Sequence, residues 1–103
     1  MRHEVKILKT ILKNEYPFSN ISVRFLACRN YIDSSDKMLV NIDGVSFADV
    51  HNTLSHYTRN VSVYRHKDLM SRSGVCDPYI LNPDSKTWIS LDMCEFIEIN
   101  VKE

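Results

Sequence analysis

The side chains best suited to chemistry in this 103-residue chain are its three cysteines and four histidines. Cys76 and His66 share a stretch without regular periodicity. A cysteine acts as a nucleophile when a neighbouring base or cation favours its thiolate, but nothing in the spacing shows that these two residues meet. A hydrolase built on them is therefore the third hypothesis, and Cys76 is interpreted as an ordinary loop cysteine.

Metal-ligand patterns are equally weak. His51 and His56 are separated by about 140° around a helix, so they cannot converge on one ion. Asp33 and Asp36 offer oxygen ligands in a loop, whereas a hard cation takes about six to eight. The cysteines lack CxxC spacing, which indicates neither a zinc site nor a disulfide framework. We predict no metal, no other cofactor and a reducing compartment.

The local signatures of common catalytic sites are also missing from the sequence. Two isolated glycines cannot form a phosphate-binding loop, and the patterns HExxH, G-x-S-x-G and the EF-hand do not occur. We therefore predict that the protein is not an enzyme and has no catalytic residues.

The irregular stretch over 65–78 has the composition of a contact surface, because it combines basic and apolar side chains with few acids. Arginine and methionine are enriched at the centres of protein interfaces. Together with the loop at 30–36, this stretch is predicted to bind a protein partner. A connection that simply covers the core is the equal alternative. The predicted partner-binding residues are Arg65, Lys67, Leu69, Met70 and Arg72.

A second set of residues suits a nucleic acid. Arginines can hold phosphates while an aromatic ring stacks on a base, although no RNP or GXXG motif accompanies them here. The alternative function is a small protein that binds single-stranded nucleic acid or RNA. Its predicted binding residues are Arg24, Arg29, Arg59 and Tyr64.

Helices and strands must position these residues. Apolar residues at helical spacing predict a helix over 2–16, which Pro17 ends because proline disfavours helical geometry in the residue before it. Alternation predicts an antiparallel hairpin over 21–28 and 37–42. A further helix is predicted over 47–58, since Ser46 followed by Asp49 is an N-cap signal.

In the C-terminal half, apolar alternation and turn residues predict strands at 61–64, 79–81, 87–91 and 96–101. The predicted order, written α-β-β-α-β-β-β and thus with one strand fewer than these segments, indicates an α+β fold with two helices packed on one face of a mainly antiparallel sheet. The residues predicted to share one core are Val23, Phe25, Val40, Ile42, Val50, Leu54 and Ile97.

Composition indicates one globular domain, residues 1–103, because 44% of the residues are hydrophobic and 25% are charged. Thirteen basic and thirteen acidic residues cancel, so the whole chain carries no general nucleic-acid footprint. Residues 1–29 nevertheless hold six Lys or Arg against two Glu. No run of about 18 apolar residues occurs, which predicts a cytoplasmic protein with no membrane partner.

The N-terminal half resembles a known family. The segments FSNISVRF at 18–25 and KMLVNIDG at 37–44, with Ser34 and Ser35 between them and a capped helix after them, are similar to the large polyvalent protein-associated domains. The similarity covers residues 1–58, and the C-terminal third lies outside it. Those domains are small α+β modules of phages and conjugative elements, with no established catalytic residues to transfer.

The resemblance implies a small accessory protein of a phage or mobile element, located in the host cytoplasm. That context includes inhibitors of host defences such as CRISPR systems. The leading prediction is therefore a non-enzymatic module that binds a protein partner, such as a bacterial defence nuclease.

Overall fold

In the computed structural model, the described residues are 2–27, 36–66, 77–91 and 94–102. They form α1 (His3–Glu15), β1 (Ile21–Leu26), β2 (Asp36–Asp43), α2 (Phe47–Ser55), β3 (Thr58–Arg59), β4 (Ser62–Arg65), β5 (Tyr79–Asn82), β6 (Thr87–Ser90) and β7 (Cys94–Lys102). The predicted α+β class is confirmed, and the helices and strands follow each other in the predicted order, with five strands after α2 instead of three. Neither helix in these ranges is long and apolar enough to cross a membrane.

Helix α1 forms because its apolar residues recur every three or four positions and face one side. The buried residues are Val5, Ile7, Leu8, Ile11 and Leu12. The helix ends at Glu15, since Pro17 favours non-helical geometry at Tyr16, which has φ −128° and ψ 67°. The Tyr16 amide still donates to the Leu12 carbonyl at 2.8 Å, which closes the last turn.

The predicted first hairpin is confirmed as an antiparallel pair, with Val23 opposite Val40 and Phe25 opposite Met38. Phe25 itself is only half-buried, which differs from the prediction, because β1 lies at the edge of its sheet. The Arg2 guanidinium lies 3.7 Å from the centroid of the Phe25 ring. The other predicted core residues are all buried: Val23, Val40, Ile42, Val50, Leu54 and Ile97.

Helix α2 begins as the sequence predicts. The Asp49 amide donates to Ser46 Oγ at 3.2 Å, so Ser46 is the N-cap. The helix ends at Ser55 rather than at 58, because Thr58 belongs to β3. Thr58 Oγ1 donates to the Leu54 carbonyl at 2.8 Å, which satisfies one of the acceptors left open at the helix end.

The strands form two sheets instead of one. The first has the order β1-β2-β7-β4, and the second has the order β3-β5-β6. Within the first sheet, β7 is parallel to both β2 and β4. The β5–β6 hairpin pairs with β3 through β5. Ile80 of β5 nevertheless joins the same buried core as the first sheet and both helices.

Replacing Ser46 with alanine removes the side-chain acceptor at the start of α2. Ser46→Ala is expected to lower the free energy of unfolding by about 1 kcal/mol in urea titration. Ser55→Ala is the matched control, because Ser55 lies in the last turn of the same helix and should change stability by less than about 0.5 kcal/mol. Equal stability of the two variants would contradict the cap.

Candidate functional site

Of the predicted partner-binding residues, Arg65 lies in the described part of the chain. It is the last residue of β4, which forms an edge of the first sheet, and its side chain is exposed. Its guanidinium lies 4.9 Å from the centroid of the Phe47 ring, at the start of α2. The residues outside the described ranges are Lys67, Leu69, Met70 and Arg72, so that part of the site stays a prediction.

Arg65 borders a surface cavity of about 480 Å³, which we call the Arg65 cavity. It is lined by Ser46, Phe47, Ala48, Arg65, His66, Ile99, Asn100 and Val101. The cavity follows from unequal strand lengths, because β4 ends at Arg65 opposite Ile99 whereas β7 continues to Lys102. Among the described strands, none pairs with β7 on this side beyond Ile99. The recess is therefore bounded by the start of α2 and by the end of β7, whose other edge pairs with β2.

His66 lies at the border of this cavity and is held there by its backbone amide and by its side chain. Its amide donates to the Ile99 carbonyl at 2.8 Å, and its Nδ1 lies 2.8 Å from Glu98 Oε2. In the described part of the chain, no hydrogen bond engages its other ring nitrogen, Nε2, and 40% of the side chain is exposed. A carboxylate fixes the ring orientation in this way in many functional histidines. Nε2 is consequently available to a ligand or partner.

Glu98 organises a polar cluster on the face of the first sheet that the helices do not cover. Its side chain is 10% exposed. Oε1 accepts from Lys37 Nζ and from the Tyr64 hydroxyl, each at 3.0 Å, while Oε2 contacts His66. Burial alone would raise the pKa of Glu98, but the hydrogen bonds from His66, Lys37 and Tyr64 lower it below its usual value. The carboxylate is therefore ionised and fully partnered, which suits a positioning role better than proton transfer.

The predicted nucleic-acid set is divided between the two sheets. Arg24 and Tyr64 lie in one cross-strand row of the first sheet, through Leu39 and Glu98. Arg59 lies in the second sheet, with its guanidinium 4.3 Å from the centroid of the Trp88 ring. The fourth predicted residue, Arg29, lies outside the described ranges. The fold therefore unites two of the four residues on one face.

The Tyr64 ring offers little free surface for stacking on a base. It is half-buried and meets Phe96 edge to face, with ring centroids 6.2 Å apart. Its hydroxyl is already bonded to Glu98. Tyr64 thus serves the polar cluster rather than forming an open platform.

Cys94, the cysteine among the described residues, is not suited to act as a nucleophile. Cys94 is buried, and desolvation raises the pKa of its thiol to about 12, so it is not a thiolate at neutral pH. Cys28 and Cys76 lie outside the described ranges. In the part that the structure describes, no group of three or more His, Cys, Asp or Glu side chains could hold a metal ion.

The sequence analysis did not connect Glu98 with His66. The available signal was the pair Phe96 and Ile97, two adjacent large apolar residues on opposite faces of one strand. Such a pair indicates a strand that is buried on both faces. A carboxylate in that strand needs partners, because an unpaired buried charge is costly.

The pH dependence of stability tests the Glu98 cluster. Since its pKa in the folded protein lies below the ordinary value of 4.5, the stabilisation is complete above that value and is lost as the pH falls through the folded pKa. Glu98→Gln is expected to lower the free energy of unfolding by about 1–3 kcal/mol at neutral pH. It should also flatten the decline in stability between about pH 5 and pH 3.

Urea unfolding over a pH series provides this measurement. Glu15→Gln is the control, because Glu15 is exposed at the end of α1 and should change stability by less than about 0.5 kcal/mol. Identical pH profiles for the two variants would contradict the proposed role of Glu98.

Comparisons with protein-family models, with curated proteins and with solved structures found no match for this chain. The similarity of residues 1–58 to the large polyvalent protein-associated domains therefore stays a prediction. The evidence for a function is therefore the geometry of the Arg65 cavity and of the residues around it.

Proposed function

We propose that the protein is a non-enzymatic module that binds a protein partner through the Arg65 cavity. The observation that carries the proposal is the exposed Arg65 guanidinium, which is held over the Phe47 ring at the border of a cavity of about 480 Å³. Arginine and aromatic residues are the side chains that most often dominate binding energy at protein interfaces. Their pairing beside a recess therefore favours a contact for a projecting side chain of the partner.

Preorganisation supports the same interpretation. Binding is stronger when contact residues are already held in place, since less side-chain entropy is then lost on association. Phe47 positions Arg65 by a cation–π contact, and Glu98 positions His66 by a hydrogen bond of 2.8 Å. The two residues follow each other in the chain but are fixed by different neighbours, so the surface between them has a defined shape.

The other predicted partner-binding residues follow Arg65 and His66 in the sequence. His66 is followed by the segment that contains Lys67, Leu69, Met70 and Arg72. We propose that these residues, two basic and two apolar, also bind the partner. A complementary partner would have an apolar contact surface with acidic groups at its border.

Binding rather than catalysis is favoured by the described polar groups. The Glu98 carboxylate is saturated by three partners, and the Cys94 thiol is buried. From the family resemblance, we propose an accessory protein of a phage or mobile element. Its partner would be a bacterial defence nuclease, which the module would inhibit by occupying a surface.

Replacing Arg65 tests this proposal. Tagged wild-type protein would first capture its partner from a bacterial lysate, and the affinity of the purified pair would then be measured by biolayer interferometry. Arg65→Ala is expected to weaken binding about tenfold or more, because a central interface arginine typically contributes more than about 1.4 kcal/mol. The stability of the free protein should fall by about 1 kcal/mol at most.

Arg59→Ala is the matched control for this experiment. It also removes an arginine that is stacked on an aromatic ring, but in the second sheet. Unchanged affinity of Arg59→Ala is expected. Full affinity of Arg65→Ala would remove the cavity from the binding site.

A further inference from the structure

Helix α1 carries a row of lysines on its exposed side. Lys6, Lys9 and Lys13 follow the spacing i, i+3 and i+7, which places them along one face of a helix. Lys102, the last residue of β7, lies at the end of this row, because it lines the same cavity as Lys13. We call these four residues the lysine track.

Two depressions in the surface lie along the track and share one lining residue. A shallow recess of about 480 Å³ along α1 is lined by Lys6, Lys9, Thr10, Lys13 and Asn14. A second cavity, of about 410 Å³, is formed between α1 and the ends of β1, β2 and β7. Lys13 lines both. The lining of the second cavity is mainly polar and includes Ser19, Asn20, Ser22 and Asn41.

The positive charge of the track is not cancelled locally. In the described ranges, none of the four lysines forms an ion pair with a carboxylate. Asp43 is the acidic residue in the lining, and both of its oxygens are engaged by Asn20, at 2.8 and 2.9 Å. Asn20 is neutral and leaves the charge of Asp43 in place. Its hydrogen bonds lower the pKa of this carboxyl, and nearby Lys102 is another of the groups that do so. Four cations against one carboxylate still leave the track with a net positive charge.

The residue before the Ser19–Asn20 wall of this cavity is a fully exposed phenylalanine. Phe18 is 100% exposed and directly precedes Ser19, which lines the cavity. The turn is held at both ends, because the Ser19 amide donates to the Tyr16 carbonyl at 3.2 Å and Asn20 is fixed by Asp43. A large apolar ring held open to solvent on a well-supported turn is a candidate contact residue.

We propose that the lysine track and Phe18 form a binding site for single-stranded nucleic acid, separate from the Arg65 cavity. The lysines bind successive phosphates, and Phe18 stacks on an unpaired base, as in other single-strand binding surfaces. The cavity lined by Lys13 and Lys102 offers hydroxyl and amide groups to a sugar or base. An acidic protein is the less suitable occupant, because lysine is depleted at protein interfaces and the lining here is polar.

This site differs from the predicted nucleic-acid set of Arg24, Arg29, Arg59 and Tyr64. It belongs to α1, to the turn before β1 and to the end of β7, where sequence reasoning found only an excess of basic residues over 1–29. It is also independent of the proposed protein-binding function, since it shares no lining residue with the Arg65 cavity.

Fluorescence anisotropy with labelled oligonucleotides of about 12 nucleotides tests the site. The full chain is titrated into single-stranded DNA, single-stranded RNA and the corresponding duplex, in salt from about 50 to 200 mM. Tighter binding to a single strand than to the duplex is expected. The double variant Lys9→Gln, Lys13→Gln should reduce the slope of log affinity against log salt by about 1.4, since each phosphate contact contributes about 0.7.

Phe18→Ala should weaken binding about tenfold, with little change in the salt slope, because it removes stacking rather than charge. Lys86→Gln is the control and should bind as the wild type does, since Lys86 is an exposed lysine in the turn between β5 and β6. All replaced side chains are exposed or partly exposed, so circular dichroism should show folded variants.

The proposal is overturned by several results. These are no binding of a single strand by the wild type at the lowest salt, tighter binding of the duplex, or equal binding by the wild type and the track variants. Loss of binding in Arg24→Gln alone would move the site to the sheet face. Binding of poly-glutamate or anionic lipid vesicles with the same dependence on the track and Phe18 would also overturn it, in favour of those partners.

Discussion

The structure depends on the position of β7, which has a neighbouring strand at both edges and is buried on both faces. Ile97 and Ile99 face the core beneath the helices, while Phe96 and Glu98 are buried on the opposite side. β7 therefore joins the N-terminal hairpin to β4, because it pairs with β2 at one edge and with β4 at the other. Lys37 and Tyr64, which are far apart in the chain, both bond to Glu98 of this strand.

Burial of Glu98 is a direct consequence of that position, and it determines the polar groups around it. A carboxylate in such a strand must be compensated by donors. These come from β2, from β4 and from the residue after β4: Lys37, Tyr64 and His66. The same compensation fixes His66 beside the Arg65 cavity. A requirement of the core thus shapes the proposed contact surface.

Both proposed surfaces lie where strands of unequal length meet. β4 is shorter than β7, which leaves the Arg65 cavity beside α2. At the other side of β7, the ends of β1 and β2 meet Lys102 and form the cavity next to the lysine track. The two surfaces use different helices and different edges of the sheet. A protein partner and a nucleic acid could therefore be bound without competition for the same residues.

Much of the local structure could be predicted from sequence, because the signals are local. Pro17 predicted the end of α1, and Ser46 with Asp49 predicted the start of α2. Alternation of Val23 and Phe25 with polar residues predicted a strand. The half-buried state of Phe25 was not predictable, because it depends on β1 being an edge strand.

The parallel pairing of β7 could not be predicted, since strand order is set by contacts between distant parts of the chain. Alternation in 96–101 indicated a strand but not its neighbours. Periodicity could not predict contacts between distant residues for the same reason. Two examples are the hydrogen bond between His66 and Glu98 and the stacking of Arg59 on Trp88. The full exposure of Phe18 was not predicted, because exposure is a property of the folded surface.

Native-state hydrogen exchange tests the central role of β7 most directly. If β7 is the strand on which both halves depend, the amides of 96–99 should exchange only through global unfolding. Their opening free energy should then equal the free energy of unfolding from urea titration at the same pH. The amides of the edge strand β1 should open at lower free energy. Faster exchange in 96–99 than in β1 would contradict the account.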